Sequence, residues 1–137
     1  MIPRMSVITD WRTREDALPN VAPGEEFERV IATQKFIILH QIIVHDMTLI
    51  HLEIGRVKDV PFELHSTDEP TRTYRYRLKG LDDEALKQKL LKTGAAVATR
   101  DTIAISPELE VRLLLRNDRG VPAKPCAALF VQEEKST

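Results

Sequence analysis

The stretch from residue 35 to residue 57 constrains the fold more than any other part of this sequence. β-branched side chains are stiff at χ1 and pack well on a pleated surface, so strands are favoured here over one long helix. The break at 45–47 predicts two strands joined by a tight hairpin. Apolar residues on both faces of the first strand predict that it is central and covered on both sides. The β-branched residues of this stretch are Ile37, Ile38, Ile42, Ile43, Val44, Thr48, Ile50, Ile54 and Val57.

A second hairpin is predicted between Pro61 and Leu78. Its turn is a cluster of turn-forming residues at positions 66–70. The return strand alternates with a period of two, so its tyrosines point to one face and its arginines to the other. We expect the tyrosines to enter the core.

The best-marked helix runs from Asp83 to Thr93. Asp82 is the expected N-cap, and Gly94 provides the C-terminal stop. The helical spacing predicts a buried stripe formed by Leu86, Leu90 and Leu91.

Two shorter helices are predicted nearer the N-terminus. One runs from Trp11 to Leu18, within an N-terminal arm that covers residues 1–24. The other runs from Glu25 to Thr33, because carboxylates at positions 25 and 26 suit the positive end of a helix dipole.

The C-terminal third is expected to be mostly strand. Residues 97–105 and 109–116 predict another hairpin, residues 126–131 a last strand at a sheet edge, and residues 132–137 a flexible tail. The predicted fold class is therefore α+β, with a mainly antiparallel sheet of hairpins and one or two packed helices. Residues 25–131 form the single predicted domain.

Length and cysteine content limit the class of protein. A chain of 137 residues is near the usual size of one domain. Its longest apolar stretch, Phe36 to Val44, is far short of the roughly 20 residues that cross a bilayer, so no membrane partner is expected. The N-terminus lacks the apolar region of a secretory signal. The lone Cys126 has no intrachain partner, which favours a reducing compartment, the cytoplasm.

The charge is divided unevenly along the chain. Residues 1–71 hold 7 Lys and Arg against 12 Asp and Glu, whereas residues 72–137 hold 13 against 9. The halves carry −5 and +4. This division could steer an acidic partner to the second half, or it could let two parts of one domain attract each other.

Three histidines lie close together in sequence, and imidazoles and carboxylates are ligands for zinc or iron. If residues 45 and 51 face each other across a hairpin, then His45, His51 and Glu53 are candidate metal ligands. The spacing matches no metal motif, and His40 falls on the opposite face. Hydrogen-bonded or solvated histidines are the alternative interpretation, and we predict no metal and no cofactor.

Four cations lie within or next to the return strand of the second hairpin: Arg72, Arg75, Arg77 and Lys79. Mixed with Tyr74 and Tyr76, they resemble the basic and aromatic surfaces that bind single-stranded nucleic acid. Stacking requires aromatic rings beside the cations, however, whereas alternation separates them. A solvated strand face, or protection of the sheet against edge pairing, is one interpretation of these four residues. As binding residues, they are predicted to contact a protein partner first, with RNA or single-stranded DNA as the alternative.

No residue set predicts catalysis. Cys126 lies among small apolar residues, and the 5 scattered glycines form no phosphate-binding loop. The leading hypothesis is thus a non-catalytic module for protein–protein interaction or assembly, self-associating or bound to a partner protein. A small metal-dependent enzyme that uses the histidine cluster is a further alternative.

Overall fold

The computed structural model of the chain describes residues 3–134. These residues form ten strands and one α-helix. In chain order they are β1 Pro3–Ile8, β2 Glu26–Ile31, β3 Ile37–His45, β4 Thr48–Ile54, β5 Phe62–Asp68, β6 Thr73–Leu78, α1 Glu84–Thr93, β7 Ala95–Val97, β8 Ile103–Ile105, β9 Val111–Arg116 and β10 Ala127–Glu134.

Seven strands form a large antiparallel sheet in the order β1-β10-β3-β6-β5. The long strand β3 lies at its centre, with β10 along one side. On the other side, the second half of β3 pairs with β6 and its first half pairs with β8, which in turn pairs with β7. The expectation of a central first strand is confirmed.

The remaining three strands form a small antiparallel sheet in the order β2-β9-β4. The inward faces of both sheets contribute to one hydrophobic core, which includes Leu39 and Ile42 of the large sheet and Leu52 and Leu113 of the small one. A hydrogen bond also joins the two sheets, since the Leu49 N–H donates to the Tyr76 hydroxyl over 3.1 Å. The fold is α+β and mainly antiparallel, as the sequence predicts.

The helix α1 forms largely as predicted, with two differences. Its N-cap is Asp83 rather than Asp82, and the Asp83 carboxylate accepts a hydrogen bond from the Leu86 N–H. Leu90 is fully buried, but Leu91 is 59% exposed, so the predicted buried stripe is too wide by one residue. Gly94 ends the helix in the left-handed conformation, with φ of 101°.

Two predicted hairpins are wrong, because each supposed pair is divided between the sheets. Strand β3 belongs to the large sheet and β4 to the small one, and the chain crosses between them at Asp46, whose φ is +64°. The same is true of β8 and β9. Only the second predicted hairpin, β5 with β6, forms as expected. Short connections between apolar strands give no signal that tells a hairpin from a crossing between layers.

The helix predicted from Glu25 to Thr33 is wrong, since this segment is strand β2. Its inward side chains are Phe27, Arg29 and Ile31, a period of two in which a cation occupies one core position. That cation hides the alternation. The three apolar residues that remain, Phe27, Val30 and Ile31, also fit a helical spacing.

The two ends of the chain are more ordered in sheet than predicted. Residues 3–8 of the expected arm form β1, and the helix expected from Trp11 to Leu18 is only a 3-10 turn at Glu15–Ala17. The last strand β10 is not an edge, because β1 and β3 flank it. It includes residues 132–134 of the expected tail, and residues 135–137 lie outside the described residues. Within residues 3–134, no helix is long and apolar enough to cross a membrane.

Candidate functional site

The three clustered histidines are separated by the fold. His45 ends β3 in the large sheet and lies 3.0 Å from the Thr73 hydroxyl, Nδ1 to Oγ1. His51 lies in the small sheet, with its Nδ1 3.0 Å from the Asp59 carboxylate. The idea that they face each other across a hairpin is therefore wrong, because no hairpin joins β3 to β4.

The third candidate ligand, Glu53, and the neighbouring His40, which is not a candidate, also have protein partners. His40 is the extra residue of a bulge in β3, and its Nε2 lies 3.2 Å from the Gln132 amide oxygen. Glu53 pairs with Arg112 at 3.5 Å. Among residues 3–134, no group of three or more His, Cys, Asp or Glu side chains is placed to hold a metal ion.

Strand β6 is here called the basic strand. It separates its aromatic and charged residues as alternation predicts. Tyr76 is buried and Tyr74 packs against the core, while Arg75 and Arg77 point to the outer face of the large sheet. Arg75 donates to Gln41 over 3.3 Å, and Arg77 pairs with Glu63 at 3.0 Å. No tyrosine is therefore available to stack a base beside these arginines.

The outer two cations of this set differ from each other. Arg72 lies in the turn before β6 and pairs with Asp46 at 2.7 Å. Lys79 is exposed just beyond the end of β6 and has no ion-pair partner within residues 3–134. Three of the four predicted binding residues are thus held by other side chains of the same chain.

Some of the charges that are unevenly divided along the sequence form ion pairs with each other inside the fold. Five ion pairs among the described residues join a cation of the second half to a carboxylate of the first half. They are Arg72–Asp46, Arg119–Asp46, Arg77–Glu63, Arg112–Glu28 and Arg112–Glu53. Three pairs run in the opposite sense: Arg4–Glu133, Lys35–Glu133 and Arg12–Glu110. Attraction between two parts of one domain therefore takes up part of the division.

Cys126 lies half-buried just before β10. Burial, together with the neighbouring Glu15 carboxylate, raises the pKa of the thiol to about 11. Because the thiolate is the nucleophilic form, this thiol is protonated and unreactive at neutral pH. The arrangement favours a structural cysteine over a catalytic one.

The edge strands of the two sheets are better candidates for a binding site than any of the polar clusters described above. Five strands have a neighbour on one side only: β1, β5 and β7 in the large sheet, and β2 and β4 in the small one. An edge strand presents unpaired N–H and C=O groups to any other chain, and proteins usually protect such edges with charges, bulges, short strands or covering loops.

Three of these edges carry recognisable protection. Strand β5 has a bulge at His65 and carboxylates at Glu63 and Asp68. Strand β7 is only three residues long. Strand β4 has a bulge and is covered by the following segment, where the Val60 N–H donates to the Leu52 carbonyl over 2.9 Å.

The edge strand β2 is protected by an inward-pointing charge. Arg29 is 2% exposed, and its guanidinium pairs with Glu15 of the 3-10 turn at 3.0 Å. Its Nε is buried and has no hydrogen-bond partner among the described residues. A buried cation fixed by a neighbouring segment makes it energetically costly for this strand to shift or to pair with another strand.

Strand β1 has no bulge and no covering segment among the described residues, and its one charged residue lies near its first end. It pairs with β10 in six consecutive positions without a bulge. Two apolar side chains of β1 are exposed on the outer face of the sheet, Met5 to 46% and Val7 to 57%. Arg4 stands at one end and pairs with Glu133 at 3.5 Å. The described residues thus contain one unprotected edge, and it carries two apolar side chains.

Sequence reasoning missed this edge. Residues 4–8 alternate strictly, but an arginine and a serine occupy the inward positions, so the alternation does not show as apolar against polar. The signal that could have found β1 is the pair Met5 and Val7, two residues apart in a segment with one charge.

Comparison with protein-family models, with curated proteins and with solved structures gave no match to this chain.

Proposed function

We propose that this chain is a non-catalytic module for protein–protein interaction or assembly, and that the edge of β1 is its contact surface. The observation that carries the proposal is the contrast among the five edges: among the described residues, β1 is a six-residue edge without a bulge or a covering segment, and its one charge, Arg4, lies at its end and is 65% exposed. An edge without such protection is where an extended segment of another chain can add as a strand.

Strand addition supplies both affinity and specificity at such an edge. The backbone N–H and C=O groups of β1 that face away from β10 can pair with an extended segment of another protein. Met5 and Val7 add apolar contact on the outer face, where Phe130 of β10 lies directly beside Val7. Burying apolar area is the dominant favourable contribution to most associations.

The basic strand is proposed as a secondary part of this surface. Arg75 and Arg77 lie on the same outer face as Met5 and Val7, with β10 and β3 between them. Exposed charges at the rim of an interface act mainly on the association rate. Arg72 and Lys79, at the two ends of β6, extend the same field. The cytoplasm stays the proposed location, on the ground of the single free cysteine.

A site-specific photo-cross-link tests the proposal in cells that naturally make the protein. A photo-reactive amino acid replaces Val7 on β1 or, as a matched control, Leu64 on β5, which is 54% exposed. We expect a covalent adduct with a protein from position 7 and none from position 64. No protein adduct from position 7, or equal adducts from both positions, would contradict the proposal.

A further inference from the structure

We propose that the occupant of the β1 edge is a second copy of this chain, paired β1 to β1 in antiparallel orientation about a two-fold axis at Ser6. The two large sheets then form one continuous sheet. This inference rests on the proposed function, since it names the partner of the same edge. Closed two-fold dimers are the commonest symmetric assembly, and their interface must be complementary to itself.

The geometry of antiparallel strands limits the possible registers. Residues that face each other lie on the same side of the sheet, so a two-fold axis must pass through a residue. An axis at Ser6 pairs residues 4–8 of the two copies, and each of these residues has a backbone N–H. An axis at Met5 would instead place Val7 opposite Pro3, which has no N–H to donate.

The exposed side chains are complementary to themselves in this register. Met5 of one copy lies opposite Val7 of the other, and the symmetry repeats the contact. Each Val7 also lies beside Phe130 of its own chain. An apolar strip therefore runs across the axis from one Phe130 to the other, and facing apolar pairs are the unit that stabilises a sheet.

The charge of β1 does not oppose the pairing. Arg4 of one copy lies opposite Ile8 of the other. The two Arg4 residues are four positions apart along the strands, about 13 Å at the usual rise per residue. This exceeds the screening length of about 8 Å at physiological ionic strength. Each Arg4 also has Glu133 of its own chain within 3.5 Å.

Ser6 provides an independent observation at the axis. Its hydroxyl oxygen is buried and has no hydrogen-bond partner among the described residues. Serine side chains that face each other across antiparallel strands can hydrogen-bond. A rotation about χ1 lets each Ser6 hydroxyl meet the other, so the dimer satisfies a polar atom that the single chain leaves without a partner.

An open chain of copies, in which β1 of one molecule adds to β5 of the next, is disfavoured by the edge of β5. Its bulge at His65 breaks the ladder, and Glu63 and Asp68 place carboxylates along it. The closed dimer is therefore the expected product.

Sedimentation of the purified, untagged chain over a wide concentration range tests the inference. We expect a reversible monomer–dimer equilibrium. The double change Met5→Lys and Val7→Lys should weaken dimerisation by more than about tenfold, whereas Leu64→Lys on β5 should leave it unchanged. All changed positions are exposed, and circular dichroism confirms that each variant is folded. A wild-type chain that stays monomeric throughout would overturn the inference, yet an adduct with another protein from position 7 would still support the proposed function.

Cysteine cross-linking tests the register. In a Cys126→Ala background, Ser6→Cys should oxidise readily to a covalent dimer, because facing residues lie within the 4.4–6.8 Å Cα separation that a disulfide needs. A mixture of Met5→Cys and Val7→Cys chains should give the mixed disulfide in preference to either homodimer. Rapid cross-linking through Leu64→Cys without any through Ser6→Cys would overturn the inference.

Discussion

Strands β1 and β2 are both six-residue edges, and they are built in opposite ways. In β2 an arginine occupies a core position and pairs with Glu15. The strand therefore carries a buried charge that opposes pairing with a strand of another chain. In β1 the inward positions hold no buried charge, and the exposed positions hold Met5 and Val7. Exposure of backbone groups alone therefore does not define a binding edge. The side chains decide whether another strand is admitted.

Loss of a core side chain should have the largest effect, and it separates stability from the choice of edge. Leu90 is fully buried in the core and distant in sequence from both edges. Leu90→Ala should lower the free energy of unfolding by roughly 2 to 5 kcal/mol, because it removes apolar contacts and leaves a cavity. Urea denaturation measures this. Leu91→Ala is the control, since Leu91 is exposed, and a loss there as large as at Leu90 would contradict the placement of α1.

Removing the partner of the buried charge should have the next largest effect. Glu15→Gln leaves Arg29 buried without a compensating carboxylate, which destabilises a fully buried pair by about 3–5 kcal/mol. Because Glu15 itself is half-exposed, water can solvate part of the guanidinium, and we expect a smaller loss of about 1–2 kcal/mol. Asp16→Asn, on the same turn, is the control. Equal small effects of both changes would show that Arg29 does not depend on Glu15.

Removing the inward charge of β2 should turn it into an edge like β1. Arg29→Met removes the inward charge but keeps the length of the side chain, so stability should change by less than about 1 kcal/mol, as for buried ion pairs replaced by apolar residues. In a chain whose β1 is blocked by Met5→Lys and Val7→Lys, this change should create new concentration-dependent association. Light scattering measures it. Association produced equally by Glu28→Met, an outward position of the same strand, would contradict the protective role of Arg29.

At neutral pH the smallest effect on stability is expected from the thiol beside β10. Because the pKa of Cys126 is raised to about 11, it should react with a thiol reagent at neutral pH on the order of a hundredfold more slowly than an exposed cysteine placed at Val7. The raised pKa also makes stability fall with pH. The unfolded thiol ionises near its ordinary value, about 9, while the folded one stays protonated until about 11, so stability is lost across this window. Cys126→Ala should remove that part of the pH dependence.

The sequence predicts most strands and the helix, but not which strands are neighbours. Density in β-branched residues marks β3 and β4, and the alternation of tyrosine and arginine marks β6, because these signals are local. The assignment of β3 and β4 to different sheets depends on what each strand packs against, which no local pattern records. The same limit explains β2, where the pairing of Arg29 with Glu15 lets a charge occupy a core position.

The candidate site was missed for a related reason. Histidines and arginines are singled out in a sequence because their chemistry is recognisable. In the fold, however, His51 lies beside Asp59 and Arg77 pairs with Glu63. The edge of β1 is defined by what it lacks, and a missing bulge or a missing charge becomes visible only when the other edges are known.

Hydrogen exchange at β1 as a function of protein concentration shows whether this edge binds protein. We expect the amides of residues 4–8 that face away from β10 to exchange quickly in dilute protein and to slow down as concentration rises, while the amides of β5 and β2 keep their rates. Exchange at β1 that does not depend on concentration in the purified chain, and that stays unchanged when extract from the native cells is added, would contradict the claim that this edge binds protein.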